Sequence, residues 1–137
     1  MIVNNSIDSN IAMGGGLRQG GIMAAAELVA LNTMAGRLPA DHDVILQLWR
    51  LLRELDHNLV DEVQPHTNIL RLYVSNTDLR ITTQWKTDLE QLGVLVRVCD
   101  DSSLRLVSHR HVSADHIAAI FKAIKMTYLN NFLAVSD

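Results

Sequence analysis

Val94-Leu95-Val96-Arg97-Val98-Cys99, then Asp100-Asp101-Ser102-Ser103, then Leu104-Arg105-Leu106-Val107-Ser108, is the stretch that decides the fold. Two β-branched, apolar runs flank four short polar residues, the composition of a strand, a turn and a second strand. Alternation with period two sets Arg105 opposite Leu104 and Leu106 and on the face of Val107. Upstream, Asn76-Thr77-Asp78 supplies a cap for a helix over about 78–92, and Gly93 stands where a glycine closes a helix. Further upstream, Val60–Val63 and Thr67–Val74 read as a strand pair or one bent strand. Downstream, Ser113 caps a helix over about 114–129, whose apolar face is Ile117, Ile120, Phe121, Ile124 and Tyr128.

The N-terminal half is helical. Pro39 suits the first turn of a helix that runs to about Leu55, with Asp41 and Asp43 near its positive end. Val44, Leu48, Leu51, Leu52 and Leu55 recur at helical spacing. Before it, a helix is expected from about Leu17 to Leu38, but its apolar residues form no stripe. Ile22, Met23, Ala25, Leu28, Val29, Leu31 and Met34 surround the cylinder, so this helix calls for cover on every side. The expected order is helix, helix, strand, strand, helix, strand, strand, helix. That is an α+β chain: a long N-terminal helix plus a small antiparallel sheet with helices on one face. Its parts are an irregular polar leader at 1–13, the helix of 14–38, and a small α+β domain over 39–137.

Composition excludes several function classes. The 137 residues are 48% hydrophobic and 20% charged, with net charge −3. That is the composition of a globular domain with no basic surplus for nucleic acid or anionic lipid. Aromatic residues are 4%, too few for base-stacking surfaces. No apolar run approaches the roughly 20 residues of a membrane span. The N-terminus lacks a signal-peptide pattern, and the single Cys99 suits a reducing cytoplasm, where it reads as a packing residue.

Candidate chemistry centres on two arginines. Arg18 lies in Gly14-Gly15-Gly16-Leu17-Arg18-Gln19-Gly20-Gly21, at the mouth of the first helix, where a guanidinium beside exposed backbone suits a phosphate or carboxylate. The plain alternative is a solvated arginine. Gln19 stands where a dinucleotide fingerprint needs its third glycine. Arg105, held mid-strand, is either a solvated residue or a rigid carboxylate clamp. His109, His111, Asp115 and His116 are too few, without a second cluster, to argue for metal. No nucleophilic constellation stands out, so no catalytic residue is assigned.

Taken together, Gly14–Gln19, Gly21-Ile22-Met23-Ala24-Ala25-Ala26-Glu27-Leu28-Val29-Ala30-Leu31 and Arg37-Leu38-Pro39-Ala40-Asp41-His42 resemble low-specificity L-threonine aldolases. The likeness continues through His66-Thr67-Asn68-Ile69-Leu70, Leu92–Val96, Leu104–His109 and Val112–Asp115, over about residues 14–128. The family belongs to the pyridoxal-phosphate-dependent β-eliminating lyases. The resemblance implies an aspartate-aminotransferase-like fold, of which this chain matches the last helix of the large domain and the C-terminal small domain. It also implies cleavage of β-hydroxy-α-amino acids to glycine and an aldehyde. Arg18 matches the arginine near the cofactor phosphate, and Arg105 the arginine that grips the substrate carboxylate.

The cofactor lysine of that family lies upstream of the glycine segment, and here no lysine precedes Arg18. Lys86, Lys122 and Lys125, the chain's lysines, match no cofactor motif. The expectation is therefore a truncated C-terminal segment of a lyase, inactive alone, without covalently bound pyridoxal phosphate. It would work as a homo-oligomer or with a partner chain that carries the cofactor domain. The alternative is a non-catalytic interaction module that docks through the apolar helix, and a third is a stand-alone small-molecule binder using Arg105.

Overall fold

The structure, a computed structural model, describes residues 19–74 and 78–133. The chain divides into two compact units at the Gly36–Arg37 bond. In the first, helix α1 spans Gly21–Thr33, shorter than the expected 17–38. A 3-10 turn at Ala35–Arg37 breaks it from the next helix. None of its residues is buried: Ile22, Met23, Leu28, Val29 and Leu31 are all more than half exposed. The all-round apolar pattern is thus left exposed along the described helix.

The second unit begins with α2 (Leu38–Leu55), and Pro39 sits in its first turn as expected. Arg37 donates from both Nη atoms to the Asp41 carboxylate at 3.1 and 3.0 Å, holding this acid at the positive end of the helix. Val44, Ile45, Leu48 and Leu52 form its buried stripe. Asp56 then accepts from the Asn58 amide at 2.9 Å and closes a 3-10 turn, His57–Leu59.

The segment 60–63 is not a strand. The backbone carbonyls it would need for pairing are taken by side chains. The Asp61 carbonyl accepts from Trp49 Nε1 at 2.9 Å, and the Glu62 carbonyl from Arg53 at 3.2 Å. Only Ile69–Tyr73 forms strand β1. The observed sheet therefore has one strand fewer than expected.

Helix α3 (Leu79–Gln91) starts where Asp78 accepts from the Arg80 amide at 2.8 Å. It ends in the paired bonds of a left-handed cap. Gly93 has φ +82, its amide reaches Glu90 O at 3.0 Å, and the Val94 amide reaches Leu89 O at 2.8 Å. That tether holds Val94 to the helix end, and pairing begins only at Arg97. Strand β2 is Arg97–Asp100, not 94–99, and β3 is Ser103–Val107. Between them Asp100 Oδ1 accepts from Ser102 N, Ser102 Oγ and Ser103 Oγ, which fixes the turn. A 3-10 turn at Ala114–His116, capped reciprocally by Ser113 and His116, leads into α4 (Ile117–Leu133).

The sheet is antiparallel in the order β1-β3-β2, so the last strand in sequence lies in the middle. Leu70, Leu72, Leu104 and Leu106 share one face and are buried with Leu48, Leu52, Trp85, Leu89 and Ile124 from the three helices. Helices α2, α3 and α4 therefore cover one side of the sheet, giving the expected α+β layer. Ser108, just past β3, donates to the Asp41 carbonyl at 2.6 Å and pins the middle strand to the start of α2. No described helix is long and apolar enough to cross a membrane.

Candidate anion-binding face

The uncovered side of the sheet carries the candidate site. Arg105, in the centre of the middle strand, is directly opposite Arg71 on β1 and directly opposite Arg97 on β2. Residues paired across antiparallel strands point to the same face. The neighbouring register pairs, Leu70 with Leu106 and Leu72 with Leu104, point into the core. The three arginines consequently stand in one row across the open face. Ile69 and Val107 flank this row at one end, and Tyr73 and Ser103 at the other.

Each arginine has a different environment. Arg71 Nη2 approaches Asp100 Oδ2 at 3.6 Å, and its guanidinium lies 5.9 Å from the centre of the Tyr73 ring. Tyr73, foremost, and then Asp100 raise the Arg71 pKa. The Ser103 hydroxyl, the Ser102 amide and hydroxyl, and finally Arg71 lower that of Asp100. Tyr73 in turn donates to Asp61 Oδ1 at 2.8 Å, and its own pKa is raised, first by burial and then by that carboxylate. Arg105 is half-buried, and its Nε is buried with no hydrogen-bond partner among the described residues. The Arg97 side chain is exposed, with no hydrogen bond or ion pair to any described residue.

A buried guanidinium N–H without an acceptor costs free energy unless a ligand completes it. The arrangement is thus suited to an anion, above all a carboxylate or phosphate that matches the planar fork. A cleft of about 710 Å³, bounded by Trp49, Asp61, Pro65, Ile69, Arg71 and Tyr73, lies at the β1 edge of this face.

Arg105 therefore lies where its alternation placed it, on the face of Val107 and away from Leu104 and Leu106. Arg18 lies outside the described residues, as does the segment 14–18. At Gly21, in the described part of the glycine run, a Cβ would meet nothing within 4 Å. The flanking Arg71 and Arg97 were not singled out from the sequence. Both repeat the apolar-Arg-apolar triplet of Arg105, in Leu70-Arg71-Leu72 and Val96-Arg97-Val98, and that repetition is the available signal.

The histidines take other roles. His109 and His111 rings stack edge-on at 5.6 Å, and His116 Nδ1 accepts from the Ser113 amide at 3.1 Å. Among the described residues no group of three or more His, Cys, Asp or Glu side chains is placed to hold a metal. Cys99 is exposed and not a packing residue, because the register shifts between Val98 and Asp100 opposite Leu104 and Ser103.

No protein-family model matches the chain. The low specificity L-threonine aldolase of Escherichia coli is 32% identical over 107 residues, which cover 78% of this chain and 30% of that enzyme. A probable low-specificity L-threonine aldolase of Arabidopsis thaliana is 29% identical over 115 residues, covering 82% of this chain and 32% of that protein. Among solved structures, a transaminase variant with SMBA superposes with a TM-score of 0.68 at 20% identity. It covers 96% of this chain and 35% of the transaminase. A transaminase with L-alanine gives 0.67, also at 20% identity. These likenesses establish the α+β fold as that of a part of the transaminase chains. In sequence the chain is similar, over about four-fifths of its length, to low-specificity L-threonine aldolases, and it spans about a third of the length of the relatives it matches.

Proposed function

We propose that this chain is the C-terminal, substrate-carboxylate-binding segment of a pyridoxal-phosphate-dependent aldehyde lyase of the threonine aldolase type, inactive by itself. The observation that carries the reading is Arg105: a strand-held guanidinium on an open face, with a buried Nε–H that has no acceptor among the described residues. Its role is to bind and orient. Charge-assisted, bidentate contact fixes the carboxylate of a β-hydroxy-α-amino acid, and the strand keeps that contact rigid. Arg18 is assigned to the cofactor phosphate on the family resemblance alone.

The residues of this chain do not complete a cofactor site. Pyridoxal phosphate supplies an electron sink when bound, and it requires a lysine amine. Lys86 on α3 is 2.7 Å from Glu90, and Lys122 and Lys125 are exposed on α4. Those helices pack on the face of the sheet opposite Arg105.

The test is to incubate the purified chain with pyridoxal phosphate and L-threonine and reduce with borohydride. The expected result is no lysine modified in preference to the others and no glycine formed. Stable reduction onto one lysine, with threonine cleavage, refutes the assignment.

A second reading is favoured by α1, whose apolar side chains are exposed all round. In this reading the chain docks through α1, on another copy or on a polypeptide carrying the cofactor domain. Light scattering should then find self-association, and a well-behaved monomer argues against it. Residence in a reducing cytoplasm belongs to the same proposal, since exposed Cys99 is free. Recovery from an oxidising compartment contradicts it.

A further inference from the structure

We propose that the open sheet face binds a small dianion, a dicarboxylate or a phosphoryl group, with Arg105 as its central ligand and Arg97 and Arg71 gripping the second charge. The proposal rests on the carboxylate role of Arg105 and extends it to the class of substrate.

Like charges directly opposite one another on paired strands repel. Here one arginine faces two others at the same register. The acid paired with the row, Asp100, reaches only Arg71, at 3.6 Å, and its Oδ1 is committed to Ser102 and Ser103. On the far side of β1, Asp61 is engaged by the Tyr73 hydroxyl. Arg97 and Arg105 are left without a compensating carboxylate among the described residues. A monocarboxylate would neutralise one of these two charges, whereas a dianion matches both.

Strand spacing also limits the ligand. Adjacent strands lie about 4.8 Å apart, so the outer arginine backbones are roughly 10 Å from each other. Arginine side chains of that spacing converge on a group no larger than a few bonds. Ile69 and Val107, both about two-fifths exposed, bound the row with apolar surface at one end.

The experiment follows the arginine Nε–Hε resonances of the 15N-labelled 137-residue chain during titration with acetate, succinate or inorganic phosphate at fixed ionic strength. Saturable shifts of Arg105 and Arg97 are expected, with succinate or phosphate bound about tenfold more tightly than acetate. The tighter dianion identifies the source of the charge. Arg97→Gln should remove most of that preference, weakening succinate and phosphate far more than acetate. Arg97 is exposed, and circular dichroism verifies that the variant is folded.

Equal affinity for acetate and both dianions, or an unchanged preference in Arg97→Gln, overturns the dianion proposal while the carboxylate role of Arg105 stands. If no anion moves the Arg105 resonance, the carboxylate role fails as well.

Discussion

Replacing Arg97 by glutamine should stabilise the free protein, although it deletes a charged surface residue. Arg97 and Arg105 are register partners on adjacent antiparallel strands, and Arg71 opposes Arg105 from the other side. Cα atoms of such partners are about 5 Å apart, and like-charge pairs so placed cost roughly 0.2–1 kcal/mol. The Arg97 side chain makes no hydrogen bond or ion pair with a described residue, so little is lost with its guanidinium. A gain of about 0.5 kcal/mol is expected. For the second unit, about 100 residues long, that corresponds to a rise in Tm of roughly 2–4 °C.

The assay is thermal unfolding by circular dichroism in about 10 mM monovalent salt without polyvalent buffer, where charges interact over tens of ångströms. In about 1 M salt the Debye length falls to ~3 Å and the gain should vanish. A double-mutant cycle with Arg105→Gln should return a repulsive coupling of about 0.5 kcal/mol. A lower Tm for Arg97→Gln at low salt, or a coupling that is zero or attractive, refutes the reasoning.

Other perturbations test the frame that holds the row. Leu104, fully buried in the middle strand, should cost about 2–5 kcal/mol as alanine, measured by urea unfolding. Gly93→Ala should cost about 1–2 kcal/mol, because φ is +82 and the penalty is backbone strain without a clash. Stability should fall in acid. The Asn58 amide, opposed by burial and aided by Tyr128, lowers the pKa of Asp56, and Arg80 lowers that of Asp78. Carboxyls depressed in the folded state contribute stability above their unfolded pKa of about 3.9, and it is lost as the pH drops through and below that value. A flat stability profile from about pH 5 to 2 contradicts this.

The caps were legible because they are local. Asp78, Gly93, Pro39 and Ser113 each act on a neighbour within a few residues, and each does so in the structure. Segment 60–63 was misread because groups from another element intervened: Trp49 and Arg53 claim the carbonyls of 61 and 62. Segment 94–96 was misread although the cap of α3 is local, because its bond to Val94 delays pairing until Arg97, which strand composition does not reveal. Helix α1 ends early because the 3-10 turn at 35–37 precedes the first turn of α2, a boundary that continuous helical propensity conceals.

The sequence by itself determined that Arg105 lies mid-strand on the face of Val107, opposite Leu104 and Leu106, that helices would cover one side of a small sheet, and that the chain resembles threonine aldolases. Alternation is a local property with a period of two, so one strand's residues suffice to read it. Only the tertiary structure decided that β3 lies between β1 and β2 and that Arg71 and Arg97 meet Arg105 at one level. Registry between strands separated by about thirty residues depends on burying Leu70, Leu72, Leu104 and Leu106 together against the helices. That packing aligns the buried leucines, and the three arginines are aligned on the other face as its consequence.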